Sequence, residues 1–357
     1  LSDEELKDEV SSEGSRRSPY VCELLVPVVV NEGPRLSVVV VTPDSLATVR
    51  KTLRHLRSQS ICERMEVLIV APTAEGLALD ESELREFYSY RVVEVGHMRS
   101  TARARAEGVR AASAEVVALA EDHAFPAPGW AESLVARHAE GWAAVGPVMS
   151  NANPRSATSW ANLLVEYAPW LEPTEAGERE HLPGHNGSYK RELLVEYGER
   201  LEAMLDAESM LHWDLRSRGH KLFLEPRARV FHQNFSAPAH SLALRFNGGR
   251  LFASARARGW PAWRRAFYAC ASPLIPFVRC ARIVGELLQP GRPRRLLPKV
   301  LPTLFAFLLF DGAGEFAGYA LGAGDAMRKL SDMEFHRGRY MAARDRRETT
   351  AELAEVS

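Results

Sequence analysis

Apolar residues along this chain follow two periodicities. Four short runs are apolar at nearly every position: LSVVVV (36–41), MEVLIVAP (65–72), RVVEV (91–95) and EVVALA (115–120). Continuous, β-branched runs of this length are expected of strands covered on both faces. Between them the spacing changes. In LATVRKTLRHLRSQS, Leu46, Val49, Leu53 and Leu56 recur at helical intervals, ESELREFYSY reads as helical, and STARARAEGVRAAS as a helix of small residues. Strand, helix, strand, helix, strand in this rhythm predicts an α/β fold, a mostly parallel open sheet flanked by helices with right-handed crossovers. Farther on, AAVGPVMS reads as a strand, SATSWANLLVEYAPWL as a helix and residues 172–184 as a polar loop. ESMLHWDLRSRGHKLFLEPRARVFH then reads as a helix stopped at Gly219, followed by two strands, KLFLEP and ARVFH.

The pattern changes at both ends. Residues 1–33 hold eight acidic and three basic side chains and are expected to form an acidic, partly disordered arm, with VCELLVPVVV as a short strand or packing strap. The main domain is expected over 34–260. From about residue 261 the chain turns to Arg, Pro and bulky apolar residues, predicting a C-terminal helical appendage over 261–330 that is amphipathic to hydrophobic. A charged tail, helical or disordered, follows over 331–357.

Charge sharpens this division. The formal net charge is −1, which gives no reason to expect a nucleic-acid partner, yet residues 245–299 carry twelve basic and one acidic side chain. No run reaches the ~18 consecutive apolar residues of a clear membrane span. AFYACASPLIPFV (266–278) and VLPTLFAFLLF (300–310) instead predict helices that dock on a membrane surface, arginines at lipid phosphates and Phe and Leu in the acyl boundary. The same pattern also fits an appendage packed on the main domain or on a second subunit. The four cysteines show no CxxC spacing, so neither a disulfide framework nor a zinc site is implied, and Cys270 and Cys280 read as buried thiols. The chain opens LSDEELKDEV, acidic rather than basic then apolar, so no signal peptide is expected. A cytoplasmic location at the inner face of the plasma membrane follows.

The strongest candidate for chemistry is VALAEDHAFPAPGW (117–130), where a buried strand ends in Glu121, Asp122 and His123. Carboxylates and an imidazole are costly to bury unpaired and are good ligands for a divalent metal. Open α/β sheets bind ligands beyond the carboxyl ends of their strands, where TPDS (42–45), the residues after VLIV and EDH all fall.

Over roughly residues 35–250 the order of these parts resembles the family 2 glycosyltransferases, nucleotide-sugar-dependent enzymes of the GT-A fold. LSVVVVTPDSLATVRKTLRHLRSQ resembles the family's first strand and helix. ARAEGVRAASAEVVALAEDH resembles the helix leading to its acidic motif, and ESMLHWDLRSRGHKLFLEPRARVFH the helix with the catalytic acid and the strand after it. The resemblance implies an inverting transfer of sugar from a nucleotide donor to an acceptor hydroxyl, on a glycan or a lipid-linked molecule, in cell-envelope or extracellular glycan synthesis. It implies Glu208, eleven residues before Gly219, as the catalytic base, with Asp206 the neighbouring alternative. Thr42, Pro43, Asp44, Arg105, Glu121 and Asp122 would meet the donor nucleotide. A divalent metal, Mn²⁺ or Mg²⁺, would be held by Asp122, His123 or Glu121 at the acidic motif and by His232 at the end of the later strand. His185, Asn186, Gly187 and Ser188 would face donor sugar and acceptor, with Trp130 and Trp213 as stacking platforms. Glu-Asp-His departs from the more usual aspartates, and Ala71, Pro72 and Thr73 stand where the family often has an Asp for uracil.

Two other classes fit part of the pattern. A nucleotidyltransferase shares the sheet and the metal carboxylates, but TPDSLATV lacks the Gly-rich loop such a site needs. A catalytically degenerate relative would bind a sugar nucleotide, or scaffold a complex, without turnover.

Overall fold

The computed structural model describes residues 33–43, 46–77, 80–98, 100–206 and 208–347. The acidic arm up to residue 32, Asp44 and the last ten residues of the expected tail lie outside them. Residues 33–357 form a compact unit of their own.

Its sheet has nine strands: β1 (Leu36–Val41), β2 (Met65–Ala71), β3 (Ser89–Glu94), β4 (Val116–Glu121), β5 (Ala124–Pro126), β6 (Ala144–Asn151), β7 (Gly177–Arg179), β8 (Ser188–Lys190) and β9 (Leu222–His232). They lie in the order β3-β2-β1-β4-β8-β6-β9-β5, with β7 added beside β9. β1, β2, β3 and β4 pair in parallel, β6 and β9 likewise, while β8 runs antiparallel to both β4 and β6. All six residues of β1 and of β4 are buried, as their unbroken apolar runs require. Alternate residues serve opposite faces. Val38 and Val40 join one core layer with Val49, Leu53 and Leu56 of α1 (Leu46–Arg57). Each of those three contributes roughly 1.5–3 kcal/mol by leaving water. Val39 and Val41 join the other layer, beneath α3 (Thr101–Ala111). There Gly108 rides on β1, since a Cβ at 108 would stand 2.3 Å from Val39 Cγ1.

Two expectations change. ESELREFYSY is not a helix: α2 (Ala74–Leu77) precedes it, Glu81–Glu83 forms one 3₁₀ turn, and Ser89 and Tyr90 already belong to β3. KLFLEP and ARVFH are one strand, β9. Its register against β6 shifts between Pro147 and Val148, where Glu225 and Arg229 are the successive partners. Pro226 falls in that irregularity, where a strand loses no ladder hydrogen bond to proline.

The remaining helices are α4 (Trp130–His138), α5 (Ala157–Tyr167), α6 (Arg191–Val195), α7 (Leu201–Asp206), α8 (Glu208–Ser217), α9 (Pro238–Arg256), α10 (Ala262–Ala271), α11 (Ile275–Leu287), α12 (Leu297–Leu321), α13 (Ala326–Phe335) and α14 (Arg337–Tyr340). Gly219, at φ +87°, turns the chain out of α8. The composition change near 261 marks no break in packing, because α12 lies along α9 backbone to backbone. A Cβ at Gly249 would stand 2.2 Å from the Asp311 carbonyl oxygen, one at Gly314 2.1 Å from that of Phe246, and one at Gly318 2.3 Å from that of Arg250. Gly314→Ala should therefore pry the helices apart and lower stability by about 1–3 kcal/mol. Thermal unfolding checks this, and an unchanged midpoint would mean that the seam yields freely.

The stretches Ala262–Leu287 and Arg294–Leu321 are long and apolar enough to cross a membrane by length and composition, with 22% and 33% of an 18-residue apolar window in each buried. Both tolerate charges that break the apolar runs in sequence. In α12 these charges face inward: Asp311 and Glu315 are buried, and Asp311 pairs with Arg279 of α11. Cys270 is exposed on α10 and Cys280 partly so, contrary to the reading of both as buried.

Candidate active site

The strand order reverses at β1, which has β2 on one side and β4 on the other. Loops leaving the carboxyl ends of such strands part and open a crevice. Glu121 ends β4 in register with Val41, and Pro43 follows across the crevice.

Glu121 is buried and joined on one side to a second carboxylate. Arg105 Nη2 donates to its Oε1 at 3.3 Å, and Arg105 Nη1 lies 3.6 Å from Glu208 Oε1. His185 makes the same connection, with Nδ1 3.3 Å from Glu121 Oε1 and Nε2 in contact with Glu208 Oε1. One guanidinium and one imidazole thus bridge the acid at the end of β4 and the acid that opens α8. Glu208 leans over Gly184, where any Cβ would come within 2.4 Å of the Glu208 Cβ. Glycine at 184 is what admits Glu208 to the site.

On its other side Glu121 Oε2 faces two imidazoles, with His123 Nε2 at 3.7 Å and His232 Nε2 at 3.4 Å. The partners of their other nitrogens fix the tautomers. His232 Nδ1 lies 2.8 Å from Asn234 Oδ1, and the Asn234 amide nitrogen donates to the His232 carbonyl and to Asn151 Oδ1, so the Asn oxygen accepts and Nδ1 carries the proton. His123 Nδ1 lies 2.9 Å from Asp122 Oδ1 and donates to that carboxylate. Burial and, next, the charge of Arg337 push His123 well below the usual imidazole range, so its ring is neutral. Both Nε2 atoms therefore point toward a carboxylate oxygen, all three ligand atoms within 4.8 Å of one another. Two imidazole nitrogens and a carboxylate oxygen converging in this way fit a divalent cation. Glu121 and the two imidazoles would hold it, with Asp122 and Asn234 orienting the rings.

Asp122 stands behind His123 and lies outside the trio that Glu121 completes. Asn186 spends its amide on Glu121 Oε2 at 2.8 Å. The Gly187 carbonyl accepts the Leu119 N–H, and Ser188 is core: its hydroxyl bonds the Val145 carbonyl at 3.0 Å, 2.9 Å from His138 Nε2. Of this segment only His185 reaches the cavities. Thr42 is buried, its N–H extending the β1–β2 pairing to Val70. Trp130 is buried core, while Trp213 is exposed and donates to His181 Nε2 at 3.1 Å. Sequence reasoning does not single out Asn234, although it sits two residues after His232, nor Glu334 and Arg337, which arrive from a distant segment.

Two cavities meet at Glu121, His123 and His185. The smaller, about 70 Å³, lies between Pro43, Arg105 and Asp122 and is also lined by Glu334 and Phe335 of α13. The larger, about 880 Å³, is bounded by Glu208 and His232 and extends to α11, within the ~300–1,000 Å³ usual for ligand sites. His212 on its wall is pushed down to about 3 by burial, which leaves it neutral near pH 7.

Fold and site together define an α/β protein with an acid–imidazole centre at its topological switch point. Residues 37–198, a little under half of the chain, match the family model described as Glycosyl transferase family 2. Similar solved structures include GalNAc-T7 with UDP, GalNAc and Mn²⁺, at 15% identity and TM-score 0.43, covering 59% of this chain and 47% of that one. Staphylococcus aureus TarS 1–349 has 14% identity and TM-score 0.44, covering 82% of this chain and 91% of that one. The mannosyltransferase PcManGT from Pyrobaculum calidifontis, in complex with GDP-Man and Mn²⁺, has 18% identity and TM-score 0.40, covering 91% and 86%. The chain thus spans about half the length of the first and most of the other two. No protein of curated function matches.

Proposed function

We propose that the chain transfers a sugar, with inversion, from a nucleoside diphosphate to an acceptor hydroxyl. The observation that carries this reading is the pair of acids with distinct surroundings: Glu121 among imidazoles, and Glu208 on the wall of the large cavity, bridged by His185 and Arg105. Glu208 takes the proton of the attacking hydroxyl, which positions a nucleophile on the face opposite the leaving group. Arg105 and His185 hold its carboxylate in place, and the Arg105 guanidinium adds positive charge beside the diphosphate. Asp122, Arg105 and Pro43 receive the nucleotide, which requires Glu334 and Phe335 to shift, since about 70 Å³ does not admit a nucleoside. Bound at Glu121, His123 and His232, a divalent cation would offset the charge that grows on the leaving diphosphate. Two imidazoles in the ligand set favour Mn²⁺ over Mg²⁺, which prefers oxygen donors.

The outward apolar surface of α10, α11 and α12 supports a peripheral seat on a membrane, with Trp263 and Phe267 exposed by 72% and 65%. A cytoplasmic enzyme at the inner face of the plasma membrane, serving cell-envelope or extracellular glycan synthesis, is the setting proposed.

Calorimetric titration of UDP and GDP with Mn²⁺, Mg²⁺ or EDTA tests the donor end. One nucleotide should bind with Mn²⁺ and fail with EDTA, and Asp122→Ala should weaken it. No binding of either nucleotide under any condition would remove the transferase reading in favour of a scaffold.

A further inference from the structure

The helix α11 has three faces. Pro276, Ile283 and Leu287 are buried against the core. Arg279, Arg282, Glu286 and Gln289, at helical spacing, line the large cavity. The third face holds Phe277, Ala281, Gly285 and Leu288, all exposed and all without charge. A helix at a water-facing surface turns its charges outward; this one turns them inward. α12 does the same: from Leu301 to Leu321 every exposed residue is apolar, while Asp311 and Glu315 are buried. Arg294, Arg295 and Lys299, all exposed, rim that surface at the start of α12.

The cavity wall beneath this surface has donors to spare. Arg292 is 4% exposed; its Nε donates to the Pro173 carbonyl at 2.8 Å and its Nη1 to that of Ala168 at 2.7 Å, yet Nη2 is buried with no hydrogen-bond partner. Glu286 offers little compensation, at 3.7 Å from Nη1. Arg282 has neither a hydrogen-bond nor an ion-pair partner among the described residues. An unpaired buried guanidinium nitrogen is costly unless a ligand completes it, and guanidinium donors suit phosphate oxygens.

We infer that the acceptor is a phosphate-linked lipid. Its phosphate lies on the wall formed by Arg282 and Arg292, its acyl or prenyl chain leaves across the outward faces of α11 and α12, and its free hydroxyl points along the cavity toward Glu208. This rests on the transferase reading only for the direction of the hydroxyl. A phosphate free in solution would satisfy the arginines but would leave the inverted faces unexplained.

The test is calorimetric titration of the full chain with dodecyl phosphate, dodecanol and inorganic phosphate, each below its aggregation limit. Dodecyl phosphate should bind at least tenfold more tightly than either of the others. Arg282→Ala, an exposed substitution, should weaken it about tenfold, the usual scale for losing one charge-assisted contact. Arg292→Gln should do so as well, and a thermal melt separates that effect from loss of the backbone tie to Ala168 and Pro173. Equal binding of dodecanol, or no loss in Arg282→Ala, overturns the phosphate wall. Equal binding of inorganic phosphate overturns the lipid. UDP or GDP binding with Mn²⁺, measured on the same samples, reports the donor end separately: its absence alongside intact dodecyl phosphate binding would defeat the transferase and leave the lipid site standing.

Discussion

Glu208→Gln should reduce sugar transfer by about 10²–10⁴-fold, the range for loss of a positioned general base, with donor affinity unchanged. The amide keeps the shape of the side chain above Gly184 but cannot take a proton. Donor binding should survive because Glu121, His123 and His232 are untouched. The neighbouring acid provides the control. Asp206 is held above the usual carboxylate range by burial and then by Glu202, and none of the bridges between the two site carboxylates runs through it. Asp206→Asn should therefore transfer at close to the wild-type rate. Steady-state assays with a radiolabelled donor check both variants. A reversal, with Asp206→Asn dead and Glu208→Gln active, would move the base two residues back along the chain.

His232→Ala should remove manganese binding at the site, and with it metal-dependent nucleotide binding and turnover. Asn234→Ala should be milder, lowering metal affinity about 10–100-fold, as losing the partner that orients a ligand ring does. The gradient between them tests the tautomer argument, because Asn234 never reaches the ligand space and acts only by keeping the proton on Nδ1. Electron paramagnetic resonance of titrated Mn²⁺ provides the measurement. Full manganese binding in His232→Ala would sink the assignment of the trio, and an Asn234→Ala protein equal to wild type would sink the role of the amide.

The half of the fold that holds the switch point was legible in the sequence for a simple reason. β1, β2 and β4 are covered on both faces, so their apolar character is continuous and their boundaries are sharp. The acidic end of β4 stood out because charge interrupts such a run. Other parts carry no such mark. Pro226 reads as a break between two strands because a sequence does not show that β9 slips its register at that point. Ser188 looks like a sugar contact in a polar loop, yet β8 slots between β4 and β6 and turns the hydroxyl into the core. Arg337 and Glu334 reach the site only through the path of the C-terminal chain over the strand ends, which no local pattern encodes. The inward turn of the charges on α11 and α12 was likewise hidden. Their mixed sequence fits a docking surface or a packed appendage equally, and only the burial of Asp311 and Glu315 shows which side meets the protein.

The seam between α9 and α12 has a mechanical consequence. With glycines at 249, 314 and 318, the two backbones touch and leave no side chain free to slide. α9 begins at Pro238, six residues after His232. The apolar helices and the last imidazole of the centre thus belong to one rigid lever. An enzyme seated on a bilayer by those helices would keep its centre at a constant height above the lipid. Substrates whose reactive hydroxyl stands at that height would be selected by reach alone, as a fixed caliper sorts parts by length, whatever their chemical detail.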